Sequence, residues 1–315
     1  MRNATQGEKK LNDAPRMVRR IINHHFKERE KNMQVSEIAG GLTNSVFAVE
    51  HSRGSFIVRL NPHHAKLCSF FKEQWVTQKV REVGIPAPEV LEVATEAVPV
   101  PYMISRQAKG SEATFSPNRL RILRKLGEYA SKIHSIRTVG FGEYFDWSHN
   151  QLSRNVTWRA FLDHELRLEE RIQTLARTKM MDARRLKKLR ATLDGACQRG
   201  RHTVLNHGDL RLKNVLVDGE GKITSILDWE FSVSNLAPEW DLSITLHDLS
   251  IDDKQEFLSG YGLNRRQLER CNPLLKALNI INYAPSVAIA EKAKDEDRLE
   301  EFRMRLSGLL NLFGQ

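Results

Sequence analysis

Cysteine is scarce: Cys68, Cys197 and Cys271 are the only three in 315 residues, and no two form a C-x-x-C pair. They support neither a disulfide framework nor a thiolate zinc site. They read as three reduced, mostly buried thiols of a cytoplasmic protein. No apolar run approaches the roughly 20 residues of a membrane span, so no membrane partner is expected. The opening segment MRNATQGEKKLNDAPR has no apolar stretch of the kind a secretory signal needs. Residues 1–15 are therefore expected to form a flexible extension. Internal repeats and low-complexity tracts are also absent.

Charge is plentiful. Lys and Arg number 49 against 39 Asp and Glu, a formal net charge of +10. Such an excess suits an anionic ligand such as ATP without naming one. The densest basic stretch, RRLKKLR over 184–190, keeps Leu186 and Leu189 at helical spacing. A solvated helix face explains it better than a nucleic-acid surface, because no base-stacking motif accompanies it. No nucleic-acid partner is expected.

Periodicity divides the chain into a strand-rich part and a helical part. Met17, Val18, Ile21, Ile22 and Phe26 recur at helical spacing. Residues 34–60 then predict a three-stranded antiparallel meander, with Ser52-Arg53-Gly54 as a tight turn. A helix over 66–83 ends at Gly84, and two strands follow near EVLEVA and PYMIS. Beyond residue 117 the pattern is mostly helical: LRILRKLGEYASKIHSI, WRAFLDHELRLEERIQTL and a third helix through residue 198. A strand-rich island covers 203–228, and helices resume from Trp240 to near Phe313. The expected fold class is α+β in two lobes, 16–106 and 107–315, the first built on a small antiparallel sheet.

The island reads LNHGDLRLKNVLVDGEGKITSILDWE. NVLVD and KITSILD are strand-like, and Gly219-Glu220-Gly221 between them is a turn. Folding this hairpin brings the start of its first strand beside the end of its second, and so Asn214 near Asp228. Asp209 lies in the loop just before. Asp228 and the amide oxygen of Asn214 are hard ligands suited to Mg²⁺, which takes few protein ligands plus phosphate oxygens. Asp209 is then left to accept a hydrogen bond from a substrate hydroxyl and aim it at a γ-phosphate. Singly, each would read as a turn or cap residue. Their grouping, with His207-Gly208 before and Trp229 after, is what carries the chemistry.

HGDLRLKN followed by ILDWE resembles the catalytic loop and metal-binding segment of the aminoglycoside phosphotransferase and choline kinase superfamily, a branch of the protein-kinase-like fold. FIVRLN, FFKEQW, IPAPEVLEV, ISRQAKG, GFG, TWRAF and GKITSILDW are similar to segments of hygromycin B phosphotransferases, in the same order. The resemblance spans roughly residues 38–245. It implies a bilobal kinase-like fold, ATP (or GTP) and Mg²⁺ as cofactors, and transfer of phosphate to a small-molecule hydroxyl. An aminoglycoside or aminocyclitol acceptor, and with it antibiotic resistance, is the leading expectation. A choline-like or sugar kinase and a non-catalytic nucleotide-binding regulator are the alternatives. Asp241, in APEWDLS, matches the family's structural aspartate that braces the catalytic loop, and His207 supports the same loop.

The resemblance also assigns the first lobe. Gly40 to Ser45, with Asn44 among them, would cover the phosphates. Arg59 stands where the family often has lysine, and Glu73 on the next helix would hold it in place. Ser105, Arg106 and Gln107 would offer backbone groups to the nucleotide base. Asp163, Glu165, Glu169, Asp248, Asp252 and Asp253 are candidate acids for a polycationic acceptor, most of them expected to be solvated helix acids. One departure stands out: Arg211 and Lys213 place two positive charges in the loop itself. His134 reads as a packing residue on a helical apolar face.

Overall fold

A computed structural model describes residues 13–30, 32–38, 44–146, 151–197, 202–247 and 249–311. The chain divides into two compact units. The first comprises residues up to Ser111 with 216–219 and 224–230; the second comprises 112–215, 220–223 and 231 onward. The hairpin segments thus fold with the first unit, and the boundary lies a few residues beyond the expected one.

In the first unit, α1 (Ala14–Phe26) precedes β1 (Gln34–Glu37), β2 (Ser45–His51) and β3 (Gly54–Leu60). After α2 (Lys66–Glu82) come β4 (Val90–Ala94) and β5 (Tyr102–Arg106). The five strands form one antiparallel sheet in the order β1-β2-β3-β5-β4. Alternation sorts its faces, since side chains along a strand point to opposite sides in turn. Phe47 and Val49 of β2 and Phe56, Val58 and Leu60 of β3 are buried with Val18, Ile21 and Ile22 of α1. Residue Arg59, between Val58 and Leu60, therefore faces the other way, toward Phe70 of α2, whose ring lies 5.5 Å from its guanidinium carbon.

The two-residue β6 (Ser111–Glu112) stands where the chain leaves the first unit. In the second, α3 (Arg119–Ile133) packs on α8 (Ile251–Tyr261) through two glycines. A Cβ at Gly127 would overlap the backbone of Phe257, and one at Gly260 the backbone of Arg124. Only glycine lets the two helix backbones meet so closely.

The expected helix over 158–175 is broken. A short α4 (Trp158–Ala160) runs into a π-helical turn (Phe161–Glu165), Arg167 takes a positive φ, and α5 (Leu168–Arg177) follows. The wide turn lets the Glu165 carboxylate accept from the Glu143 backbone and the Asn155 amide, both at 2.7 Å. It still buries Phe161, Leu162, Leu166 and Leu168. Next come α6 (Ala183–Asp194), β7 (Val204–Asn206), β8 (Val215–Val217) and β9 (Ile223–Ile226).

Neighbours β8 and β9 share a sheet, while β10 (Val233–Asn235) pairs antiparallel with β7. The chain ends with α7 (Glu239–Thr245), α8, α9 (Arg265–Ala293) and α10 (Glu296–Asn311). Residues of α5, α6, α9 and α10 form the main core of this unit. Among the described residues no helix is long and apolar enough to cross a membrane. Cys271 is buried but Cys68 is exposed on α2, contrary to the expected burial. Its position on the outer face of that helix leaves it in water.

Candidate active site

The loop after β7 is held from behind by one carboxylate. Asp241, on the first turn of α7, accepts the backbone N–H of His207 at Oδ2 and that of Gly208 at Oδ1, both at 2.8 Å. Burial works to raise the Asp241 pKa, but hydrogen bonding and charge from His134, with help from His207 and Gly208, hold it below its ordinary value. The carboxylate is therefore ionised and acts only as an acceptor. Gly208 has φ of 83°, and a Cβ there would overlap the Phe231 carbonyl. Glycine is required at that bend by both conformation and space.

Just after the bend, the Asp209 N–H donates to His207 Nδ1 at 3.2 Å. Asp209 itself is buried, with a fractional exposure of 5%. Its neighbours come from a single 3₁₀ turn, Leu212–Asn214, and the residue before it. The Asn214 amide nitrogen donates to the Asp209 carbonyl at 2.9 Å and to Oδ2 at 3.0 Å. Lys213 Nζ lies 3.0 Å from the same Oδ2, and Arg211 Nε donates to Oδ1. With its nitrogen committed to Asp209, Asn214 has its amide oxygen left as a potential metal donor.

Asp228 follows β9 in the first unit, with a left-handed φ of 63° that aspartate tolerates better than most residues. The segment is anchored on both sides. Ile226 N–H donates to the Pro86 carbonyl at 2.8 Å, the Trp229 indole to Ile226 O at 2.7 Å, and Lys66 Nζ to Glu230 at 2.6 Å.

Elsewhere in the first unit, Arg59 forms an ion pair with the buried Glu73. It also lies 3.6 Å from Met103 Sδ. Asn44, just before β2, accepts from the Asn61 amide at 3.0 Å. The glycines that precede it, 40 and 41, lie outside the described residues. Ser105 is buried in β5. The Arg106 and Gln107 N–H groups donate to Glu89 O at 2.9 Å and Ser55 O at 3.0 Å. These two donors are thus committed to the sheet and its margin.

Most of the candidate acids for a polycation are paired. Asp163 binds Arg159, Glu169 binds Arg190, and Asp253 binds Arg119 while capping α8. Asp252 is exposed, and Asp248 lies outside the described residues.

Two residues of the loop brace were not among the expected site residues. His134 Nε2 lies 2.9 Å from Asp241 Oδ2, and its Nδ1 lies 2.8 Å from the Tyr261 hydroxyl. The available signal was a histidine in line with the buried Leu123, Gly127 and Ala130 of α3, since a buried imidazole needs partners.

The loop is braced from behind and presents an aspartate, followed five residues later by an asparagine. The profile of the phosphotransferase enzyme family matches residues 34–274, and the chain belongs to that family. It is 25% identical over 224 residues to the hygromycin-B 4-O-kinase of Escherichia coli, a match covering 67% of this chain and 61% of that protein. The fold is that of aminoglycoside phosphotransferase APH(4)-Ia, with a TM-score of 0.68 at 19% identity, covering 96% of this chain and 100% of that one. The macrolide 2'-phosphotransferase MphH of Brachybacterium faecium also superposes, with a TM-score of 0.57 at 18% identity, over 92% and 97% of the two chains.

Proposed function

We propose that the chain is an ATP-dependent phosphotransferase that moves the γ-phosphate to a hydroxyl of a small molecule, an aminoglycoside or aminocyclitol being the leading acceptor class. The observation that carries this reading is the loop geometry: Asp241 fixes the backbone on which Asp209 is presented, and Asn214 fixes the Asp209 carboxylate. The likeness to a hygromycin-B kinase supports the acceptor class. A solved complex of APH(4)-Ia holds ADP and hygromycin B.

Asp209 accepts a hydrogen bond from the acceptor hydroxyl and points its oxygen at the γ-phosphorus. The new O–P bond forms as the bond from γ-phosphorus to its bridging oxygen breaks, ADP leaves, and the hydroxyl proton passes toward the Asp209 carboxylate. Asn214 Oδ1 and the Asp228 carboxylate are the oxygen donors suited to Mg²⁺. That ion supplies charge neutralisation on the phosphates when bound. Arg59, held by Glu73, is the basic residue assigned to the nucleotide phosphates, with Asn44 at the phosphate-covering turn. The test is incubation of pure protein with Mg-ATP or Mg-GTP and a panel of hydroxylated compounds including hygromycin B. Product formed by the native chain and lost in Asp209→Asn supports the reading. Bound nucleotide with no product from any acceptor would sink it.

A further inference from the structure

A lone carboxylate facing an acceptor would attract ammonium groups. Asp209 does not stand alone: Arg211 Nε meets Oδ1 and Lys213 Nζ lies 3.0 Å from Oδ2. One negative and two positive charges leave the cluster net positive. Both cationic side chains are partly open to solvent, at 38% and 50% exposure, while the Asp209 side chain shows 7%. An incoming molecule therefore meets the cations before the carboxylate. Their stems rise from the same turn that supplies Asn214, so the charges travel with the loop.

We propose that Arg211 and Lys213 select which hydroxyl is phosphorylated: one whose neighbouring carbons bear neutral or anionic groups, in preference to one beside an ammonium. The proposal rests on the phosphotransferase reading and narrows its acceptor. On a polyamine sugar it directs phosphate to a ring position remote from the amines. Among simpler acceptors it favours a hydroxy acid or a neutral polyol over an amino alcohol. The physical reason is juxtaposition of like charges in a partly desolvated site, which rejects wrong groups more strongly than it tightens right ones.

The experiment uses the full chain, Mg-ATP and matched acceptors that differ only in the group beside the hydroxyl: ammonium, hydroxyl or carboxylate. The phosphorylated position is mapped by NMR. Wild type is expected to prefer the neutral or anionic member by about tenfold or more in kcat/KM, with the preference shrinking as salt is raised. Arg211→Gln with Lys213→Gln is expected to erase that preference, and the charge-conserving pair Arg211→Lys with Lys213→Arg to retain it. Melting curves confirm that the variants fold. Phosphate found mainly beside an ammonium, or a preference unchanged in the neutralised variant, overturns the proposal and leaves the phosphotransferase reading intact. Nucleotide bound but no acceptor phosphorylated overturns both.

Discussion

The imidazole of His134 bridges the Asp241 carboxylate and the Tyr261 hydroxyl, at 2.9 and 2.8 Å. Because an ionised carboxylate can only accept, Nε2 donates to Asp241, and Nδ1 shares a hydrogen bond with the Tyr261 hydroxyl. A chain of hydrogen bonds thus runs from α8 through the end of α3 to the backbone of the Asp209 loop. Replacing His134 with Leu should lower kcat more than it raises KM for ATP, and His134→Gln, which can still donate to Asp241, should restore part of it. Steady-state kinetics on the two variants checks this.

Removing the carboxylate itself should be costly. Asp241→Ala leaves the buried His207 N–H and the half-buried Gly208 N–H without their acceptor, at about 1–3 kcal/mol for a fully buried group and less for the other. Urea unfolding should show a loss of at least a few kcal/mol.

The same carboxylate predicts an acid limb. Its folded pKa lies below the ordinary 3.8, so its contribution is present above about pH 4 and is lost as pH falls through the lower, folded value. Unfolding free energy measured from pH 6 downward should drop more steeply in wild type than in Asp241→Asn.

Asp209→Asn should lower kcat by about 10²–10⁴-fold while nucleotide binding survives. Calorimetric titration with an ATP analogue, beside a turnover assay, separates the two effects.

The helix contact offers a test with no titrating group. Gly260→Ala would force α8 away from the Arg124 backbone. Overpacking of this kind costs about 1–3 kcal/mol, occasionally more. Because Tyr261 is the next residue, thermal melting should show the stability loss, and activity should fall with it.

Much of the first unit was legible because strand and helix periods differ and its elements are local. The alternation of Phe56, Val58 and Leu60 already turned Arg59 to the opposite face, and the meander needed only neighbouring segments. The break inside 158–177 was not legible. Its apolar positions suit a helix, and the groups that favour the wide turn, Glu143 and Asn155, lie outside it in sequence. That the Arg106 and Gln107 N–H groups are taken up by Glu89 and Ser55 was not legible either, because a strand's last paired residue depends on where its partners end.

The sequence by itself determined the chemistry of the loop: an aspartate, two cations and an asparagine within six residues, which local turn geometry places around one carboxylate. Tertiary structure decided what holds that loop. Asp241, His134 and Tyr261 come from three helices, and the hydrogen bonds joining them span 107 and 127 residues. Helix periodicity says which face of α3 is buried, but only packing through Gly127 and Gly260 brings α8 close enough for Tyr261 to reach His134.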